Sequence, residues 1–161
     1  MGVSDSASVH IRQAGVEDLP AAAALWQQLD AYHRSLGLMF PEVDNAPQLW
    51  AESFQRTLGR FSFLWLAEQG GGAVGFLMAR IKQSPAYLGG KQIGEISDLF
   101  VVPAARGAGA AAQLVQAAMQ KFAELQVHSV EVQIQAGNDD GLAFWHKHGF
   151  ATDLTLVRKR L

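Results

Sequence analysis

The stretch "VHIRQA" (9–14) alternates apolar and polar residues as a half-buried strand does. The following "EDLPAAAALWQQLDAYHRSLG" changes period and sets Leu19, Ala22, Trp26, Leu29 and Tyr32 at helical spacing. Pro20 suits the first turn of that helix and Gly37 its end. Asn45 is placed to cap a second helix carrying Trp50, Phe54 and Leu58 on one face, closed by Gly59. The period then shortens. "RFSFLWLAE" and "AVGFLMARI" are aromatic and β-branched runs separated by "QGGG", which offers the positive φ angles of a tight hairpin. A loop over 83–92 leads to the strand "IGEISDLFVV" (93–102), ended by Pro103.

Beyond it comes "RGAGAAAQLV" (106–115), opening a helix whose apolar face is Leu114, Val115, Ala118, Met119, Phe122 and Leu125. "SVEVQIQA" (129–136) reads as a strand. "NDDGLAFWHKHG" (138–149) reads as a short helix capped by Asn138 or Asp139 and stopped by Gly149, and "FATDLTLVRK" as a closing strand or hairpin. The order β-α-α-β-β-β-α-β-α-β predicts a mixed α/β fold with one strand-helix-strand unit over roughly 93–135. Its small-residue loop falls at the carboxyl end of the leading strand, where open sheets hold ligands.

Composition narrows the picture. A chain of 161 residues fits one domain, here 1–161 with residues 1–8 expected to be flexible. With 49% hydrophobic and 17% charged residues it is an ordinary globular sequence. A formal net charge of −2 gives no general attraction to nucleic acid, and "RKR" at 158–160 is the one basic cluster. The absence of cysteine excludes disulfides, thiolate zinc and thiol catalysis, and suits the cytosol. Neither a signal peptide nor an apolar run of membrane-spanning length is present, so a cytoplasmic protein without membrane partners is expected. The histidines outside the first strand, His33, His128, His146 and His148, have no metal-ligand spacing, and no metal is expected.

The glycine loop is the main candidate for chemistry. Small residues at 107–112 allow several backbone N–H groups to converge on an anion at a helix start, where phosphate or pyrophosphate is the natural guest. A close-packed helix start would use the same residues. GxxxxGK[ST] is absent and the third glycine of GxGxxG is Ala112, which disfavours ATP and dinucleotides.

"VVPAARGAGAAAQLV" resembles the acyl-CoA pyrophosphate motif of the GNAT superfamily of N-acyltransferases, with Arg106, Gly109 and Ala111 in its defined positions. "NDDGLAFWHKHGF" is similar to that family's second motif, with Asn138, Phe144 and Gly149-Phe150 in register. The element order matches from about residue 9 to the carboxyl terminus. The resemblance implies a mostly antiparallel central sheet flanked by helices, in which the strands before and after the loop-helix unit splay to admit a pantetheine arm. It implies that Leu99, Phe100 and Val101 offer backbone groups to that arm. It further implies that Arg106, Gly107, Ala108, Gly109, Ala110, Ala111 and Ala112 form the pyrophosphate loop, and that Asn138 meets the cofactor further along.

The implied reaction is acetyl transfer from acetyl-CoA to a primary amine of a small molecule, peptide or protein. An alkyl ammonium with pKa near 10.4 is neutral in only about one part in 2,500 at pH 7, so a carboxylate base is needed. Glu95, eleven residues before Arg106, matches the place of the general-base glutamate in some family members and is the first candidate. Asp98 is the second, and the odd spacing predicts that the two lie on opposite faces of the strand. Many relatives carry a tyrosine after the phenylalanine of the second motif to protonate the leaving thiolate; here Trp145 follows Phe144, and indole cannot usefully give up a proton. Water or His146 could serve instead.

The acceptor region implied by the family offers Asp30, Tyr32, His33, Phe40, Glu42, Asp44, Trp50 and Tyr87, a mixture that suits a cationic amine. The alternative reading is a noncatalytic acyl-CoA-binding regulatory module, favoured by the missing tyrosine and opposed by Glu95. The resemblance leaves a homodimer open.

Overall fold

The computed structural model describes residues 8–161, so the expectation of flexibility for residues 1–7 lies outside the described residues. Strand β1 (His10–Ala14) is followed by helices α1 (Leu19–Ser35) and α2 (Ala46–Phe54), then β2 (Ser62–Gln69), β3 (Gly72–Gln83) and β4 (Gln92–Val101). Helix α3 (Ala110–Glu124), β5 (Ser129–Val132) and α4 (Asp139–Lys147) complete the order. The five strands form one sheet in the order β1-β2-β3-β4-β5, antiparallel except for the β4/β5 pair.

Period-two alternation in the central strands feeds two cores. Phe63, Trp65, Ala67, Leu77 and Ala79 face α3, where Leu114, Val115, Ala118 and Phe122 complete the layer. Leu64, Leu66, Phe76 and Met78 face α1 and α2, against Leu19, Ala22, Leu25 and Leu29. Each fully buried side chain of this kind contributes about 1.5–3 kcal/mol of transfer free energy. Gly94 fixes how closely α3 approaches β4: a Cβ there would lie 2.6–2.8 Å from the Phe122 ring, so no larger residue fits without moving the helix. Met119 and Leu125, expected on the buried face of α3, are more than a third exposed at its edge.

Other sequence expectations differ as well: Leu58, expected on the second helix, lies beyond its end at Phe54. Asn45 stands at the start of α2, but its side chain makes no capping hydrogen bond. Strand β5 ends at Val132 instead of running to 136. Residues 151–161, expected as a strand or hairpin, have no regular secondary structure and are exposed throughout. A strand exists only with a ladder partner, and in this single copy the tail pairs with none. No helix among the described residues is long and apolar enough to cross a membrane.

Candidate active site

The parallel pairing of β4 and β5 runs only from Ile93–Ser129 to Ile96–Val132. Beyond it the two chains part, and the gap opens into a cleft of about 220 Å³. Its walls are Asp98, Leu99, Phe100 and Val101 from β4, Gln133 and Ile134 after β5, and Asn138, Phe144 and Trp145 from α4 and its cap. Tyr32 and His33 of α1 close one side, and Arg106 and Ala111 lie at the end nearest α3. The splay expected between these strands is therefore present, and it joins both sequence motifs in one cavity.

The loop at the mouth of the cleft owes its glycines to backbone shape rather than to crowding. Gly107 and Gly109 have φ of +93° and +81°, the left-handed region where a side chain is strained. A Cβ on Gly107 would meet nothing within 4 Å, and one on Gly109 only Gln113 at 3.8 Å. Packing does not account for them. Among the described residues, no backbone acceptor faces the amides of Gly107, Ala108, Gly109, Ala110, Ala111 or Ala112. The first turn of α3 carries no carboxylate to compete for these donors. Unpaired amides at the positive end of a fifteen-residue helix, those of Gly107, Ala108 and Gly109 on exposed residues, fit a pyrophosphate. The Arg106 side chain turns back, its Nε donating to the Val101 carbonyl at 3.0 Å.

The two candidate carboxylates share a face, which corrects the parity expected from the sequence. Glu95 stands opposite Arg80 and Ile96 opposite Ala79, but Asp98, not Ser97, stands opposite Met78. Ser97 is thus an extra residue, a β-bulge that shifts the alternation by one and turns Asp98 to the side already occupied by Glu95.

Their surroundings nevertheless differ. Glu95 is buried, with Oε1 2.6 Å from Arg80 and Oε2 3.1 Å from Lys82. Burial raises its pKa, but hydrogen bonds and charge from Lys82 and Arg80 outweigh that and hold it below the ordinary carboxylate value. Lys82 also bridges to Glu131 of β5. Glu95 is not among the residues lining the cleft.

Asp98 does line it, and burial pushes its pKa up to about 6 despite hydrogen bonds from Ser97 and the Trp50 indole and the charge of Arg80. The Ser97 hydroxyl donates to its Oδ2 at 2.8 Å.

The Tyr32 hydroxyl donates to Asn138 Oδ1 at 3.2 Å, which brings a phenol into the cleft from α1 rather than from α4. The same Asn138 oxygen accepts from Gly141 N at 3.0 Å and caps α4. Trp145 is buried against Phe144 and Phe150, with ring centroids 5.2 and 4.9 Å away, and His146 points out to Thr152. His33 lines the cleft, and burial lowers its pKa against the opposing pull of Asp30, favouring the neutral ring.

Of the other acceptor candidates, Asp30 is bridged to Arg34 at 2.7 Å, Trp50 is stacked on Trp26, and Tyr87 stands free at 86% exposure. Sequence reading assigned Tyr32 to the acceptor and not to the cofactor cleft. Its proximity to Asn138 spans 106 positions and has no local signal. Among the described residues, no group of acidic or histidine side chains is arranged to hold a metal ion.

Comparison with known proteins agrees with this geometry. Residues 22–150 match the acetyltransferase (GNAT) family. An uncharacterized N-acetyltransferase, YhfO, of Bacillus subtilis (strain 168) is 27% identical over 151 residues, covering 92% of this chain and 94% of that protein. The mycothiol acetyltransferase of Amycolatopsis mediterranei (strain U-32) is 30% identical over 95 residues; the match covers 58% of this chain but only 32% of that longer protein. The crystal structure of a predicted acetyltransferase from Clostridium acetobutylicum with acetyl-CoA superposes with a TM-score of 0.78, at 15% identity, covering 94% of this chain and 96% of that one. The chain belongs to the GNAT family of acetyltransferases.

Proposed function

We propose that this enzyme transfers an acetyl group from acetyl-CoA to a primary amine of a small molecule, peptide or protein, with Asp98 as the general base. The observation that carries the reading is the bulge at Ser97, which turns a carboxylate of raised pKa into the cleft between the splayed strands. In this reading the amides of Gly107–Ala112 hold the pyrophosphate. The backbone of Leu99–Val101 faces the pantetheine arm, and Asn138 borders it further along. Acetyl-CoA supplies an activated thioester carbonyl.

An ammonium entering the cleft gives its proton to Asp98, directly or through water. The neutral amine attacks the carbonyl carbon, and the Val101 N–H is the candidate donor to the oxyanion. A carboxylate with pKa near 6 is ionised at neutral pH and still a better acceptor than an unperturbed aspartate. Glu95, with its pKa lowered between Arg80 and Lys82, is the weaker base, and in this reading it fixes the strand on which Asp98 stands. The departing thiolate takes a proton from the Tyr32 hydroxyl, the phenol available to a cleft whose α4 position is Trp145, and the second proton of the attacking nitrogen, shed as the amide forms, passes through water to restore the phenol. Thiols with pKa near 8.5 are tolerable leaving groups, so the proton from Tyr32 lowers the barrier by only about 2 kcal/mol at pH 7.

The test is an amine screen with acetyl-CoA, comparing the parent with Asp98→Asn and Glu95→Gln. Loss of turnover in the first with retained acetyl-CoA binding by calorimetry supports the reading. Equal turnover in parent and Asp98→Asn, with loss in Glu95→Gln, returns the base role to Glu95.

A further inference from the structure

Ser97 does more than shift the register of β4. As the extra residue of the bulge it stands opposite no residue of β3, and it is exposed at the wall of the cleft. Its side chain lies between two acceptors. The hydroxyl is 2.8 Å from Asp98 Oδ2 and 3.3 Å from the Met78 carbonyl, and its one proton serves one of them at a time. Met78 is the residue opposite Asp98 across β3 and β4, so the hydroxyl bridges the pair that the bulge brings into register.

The charge on Asp98 decides between the two acceptors. A hydrogen bond to an ionised carboxylate is shorter and roughly twice as strong as one between neutral groups. While Asp98 is ionised, the hydroxyl is drawn to Oδ2. Once the carboxyl holds a proton that advantage is lost, and the Met78 carbonyl takes the same O–H. Ser97 therefore favours the ionised carboxyl, the form that accepts a proton, and a carboxylate tied at one oxygen does not turn freely about its Cα–Cβ bond. Of the other groups around Asp98, the Trp50 indole of α2 is a second donor, while Arg80 of β3 and Glu95 of β4 act through charge, in opposite senses. Tyr32, His33 and Arg106 share the cleft wall, with Tyr32 donating to Asn138 and Arg106 to the Val101 carbonyl.

We propose that Ser97 is a positioning residue for Asp98: its hydroxyl donates to the carboxylate before an amine gives up its proton and turns to the Met78 carbonyl afterwards, so that the ionised carboxylate is held in one orientation at the cleft wall. This role rests on the reading of Asp98 as the general base. The step moves one proton from the acceptor nitrogen to the Asp98 carboxylate; Ser97 keeps its own proton and only changes the acceptor to which it points.

The test follows the Asp98 carboxyl directly, by NMR of protein labelled with carbon-13 at aspartate carboxyls, with the signal assigned by its loss in Asp98→Asn. In Ser97→Ala the titration midpoint is expected to move up by about 0.5–1 pH unit, because a donor to the charged form is gone, and Ser97→Thr is expected to restore it. With acetyl-CoA and an amine turned over in the screen, the acidic limb of kcat/KM should move with the midpoint. Ser97→Ala then loses about three- to tenfold in kcat/KM below pH 6 and less at pH 8. The side chain is exposed, so its removal leaves the core intact. The proposal is overturned by a midpoint that Ser97→Ala leaves in place, or by an equal loss in Ser97→Ala and Ser97→Thr at every pH. A moved midpoint together with full turnover by Asp98→Asn overturns the base reading instead, and the role of Ser97 with it.

Discussion

Before Ser97, β4 is clasped by β3 on one side and β5 on the other, and Glu95 lies there between Arg80 and Lys82; after Ser97 only β3 remains, and Asp98 stands at the edge of a cleft. Two carboxylates three positions apart, on one face of one strand, are thus driven in opposite directions, one below its ordinary pKa and one up to about 6. The difference comes from neighbours and not from residue type. Two cations within hydrogen-bond reach outweigh burial at Glu95. At Asp98 burial dominates because its close partners are a hydroxyl and an indole N–H. The bulge and the end of the β5 ladder together convert a structural strand into the wall of a site.

The sharpest way to break this contrast is Asp98→Asn. It is expected to lower kcat about 10²–10³-fold while leaving acetyl-CoA affinity within about twofold, measured by steady-state kinetics and calorimetry. The parent's kcat/KM should fall below about pH 6 as Asp98 becomes protonated, a limb that the variant lacks. Stability should move the other way. A native pKa above the unfolded value means that the folded protein binds more protons between those values, so stability falls as the pH rises from about 4 to about 6 and the full cost of ionised Asp98 stands above that. Asp98→Asn should therefore unfold at a higher temperature than the parent at pH 8, by about 1–2 kcal/mol of stability, and lose that advantage below about pH 4.

Next in size is the loop. Gly109→Val places a β-branched residue at φ +81°, and the strain of about 1–3 kcal/mol distorts the unpaired amides. Acetyl-CoA binding should weaken about 10- to 100-fold with the fold intact by circular dichroism. Unchanged affinity would return the glycines to a role in folding alone. Tyr32→Phe is expected to cost about tenfold in kcat with acetyl-CoA, and less with a thioester whose thiol is more acidic. An equal loss for both thioesters would mean that Tyr32 acts by ordering Asn138 and not by giving a proton.

Much of this arrangement was legible in the sequence, because helix periodicity, the Gly70-Gly71 hairpin and the Asn138 cap are local signals, and each is found where its residues stand. The features that escaped are those decided by a partner. Whether Ser97 is an extra residue depends on pairing with Met78 and Ala79, so counting alternate positions in β4 alone assigned Asp98 to the wrong face. Tyr32 meets Asn138 only through the packing of α1 over the cleft. The tail has the alternation of a strand, but alternation specifies a face and not the neighbour that makes the ladder. At Asn45 the residue type was right for a cap while the side chain found no amide to accept from.

The smallest expected effect tests the other half of the comparison. Glu95→Gln removes a carboxylate that accepts from two cations, both of which reach solvent and can be hydrated when it is gone; about 1–2 kcal/mol of stability should be lost rather than the larger penalty of a stranded buried charge. Because the native pKa of Glu95 lies below its unfolded value of 4.5, its contribution is fully present above that value and fades as the pH falls through the native one. The gap in unfolding free energy between parent and variant should be constant from about pH 5 to 8 and begin to narrow as the pH falls below about 4.5. The acidic limb of the rate profile should move slightly downward in the variant, since the charge of Glu95 raises the pKa of Asp98. A stability gap that does not narrow at all below about pH 4.5 would mean that Glu95 acts there through packing and not through its ion pairs.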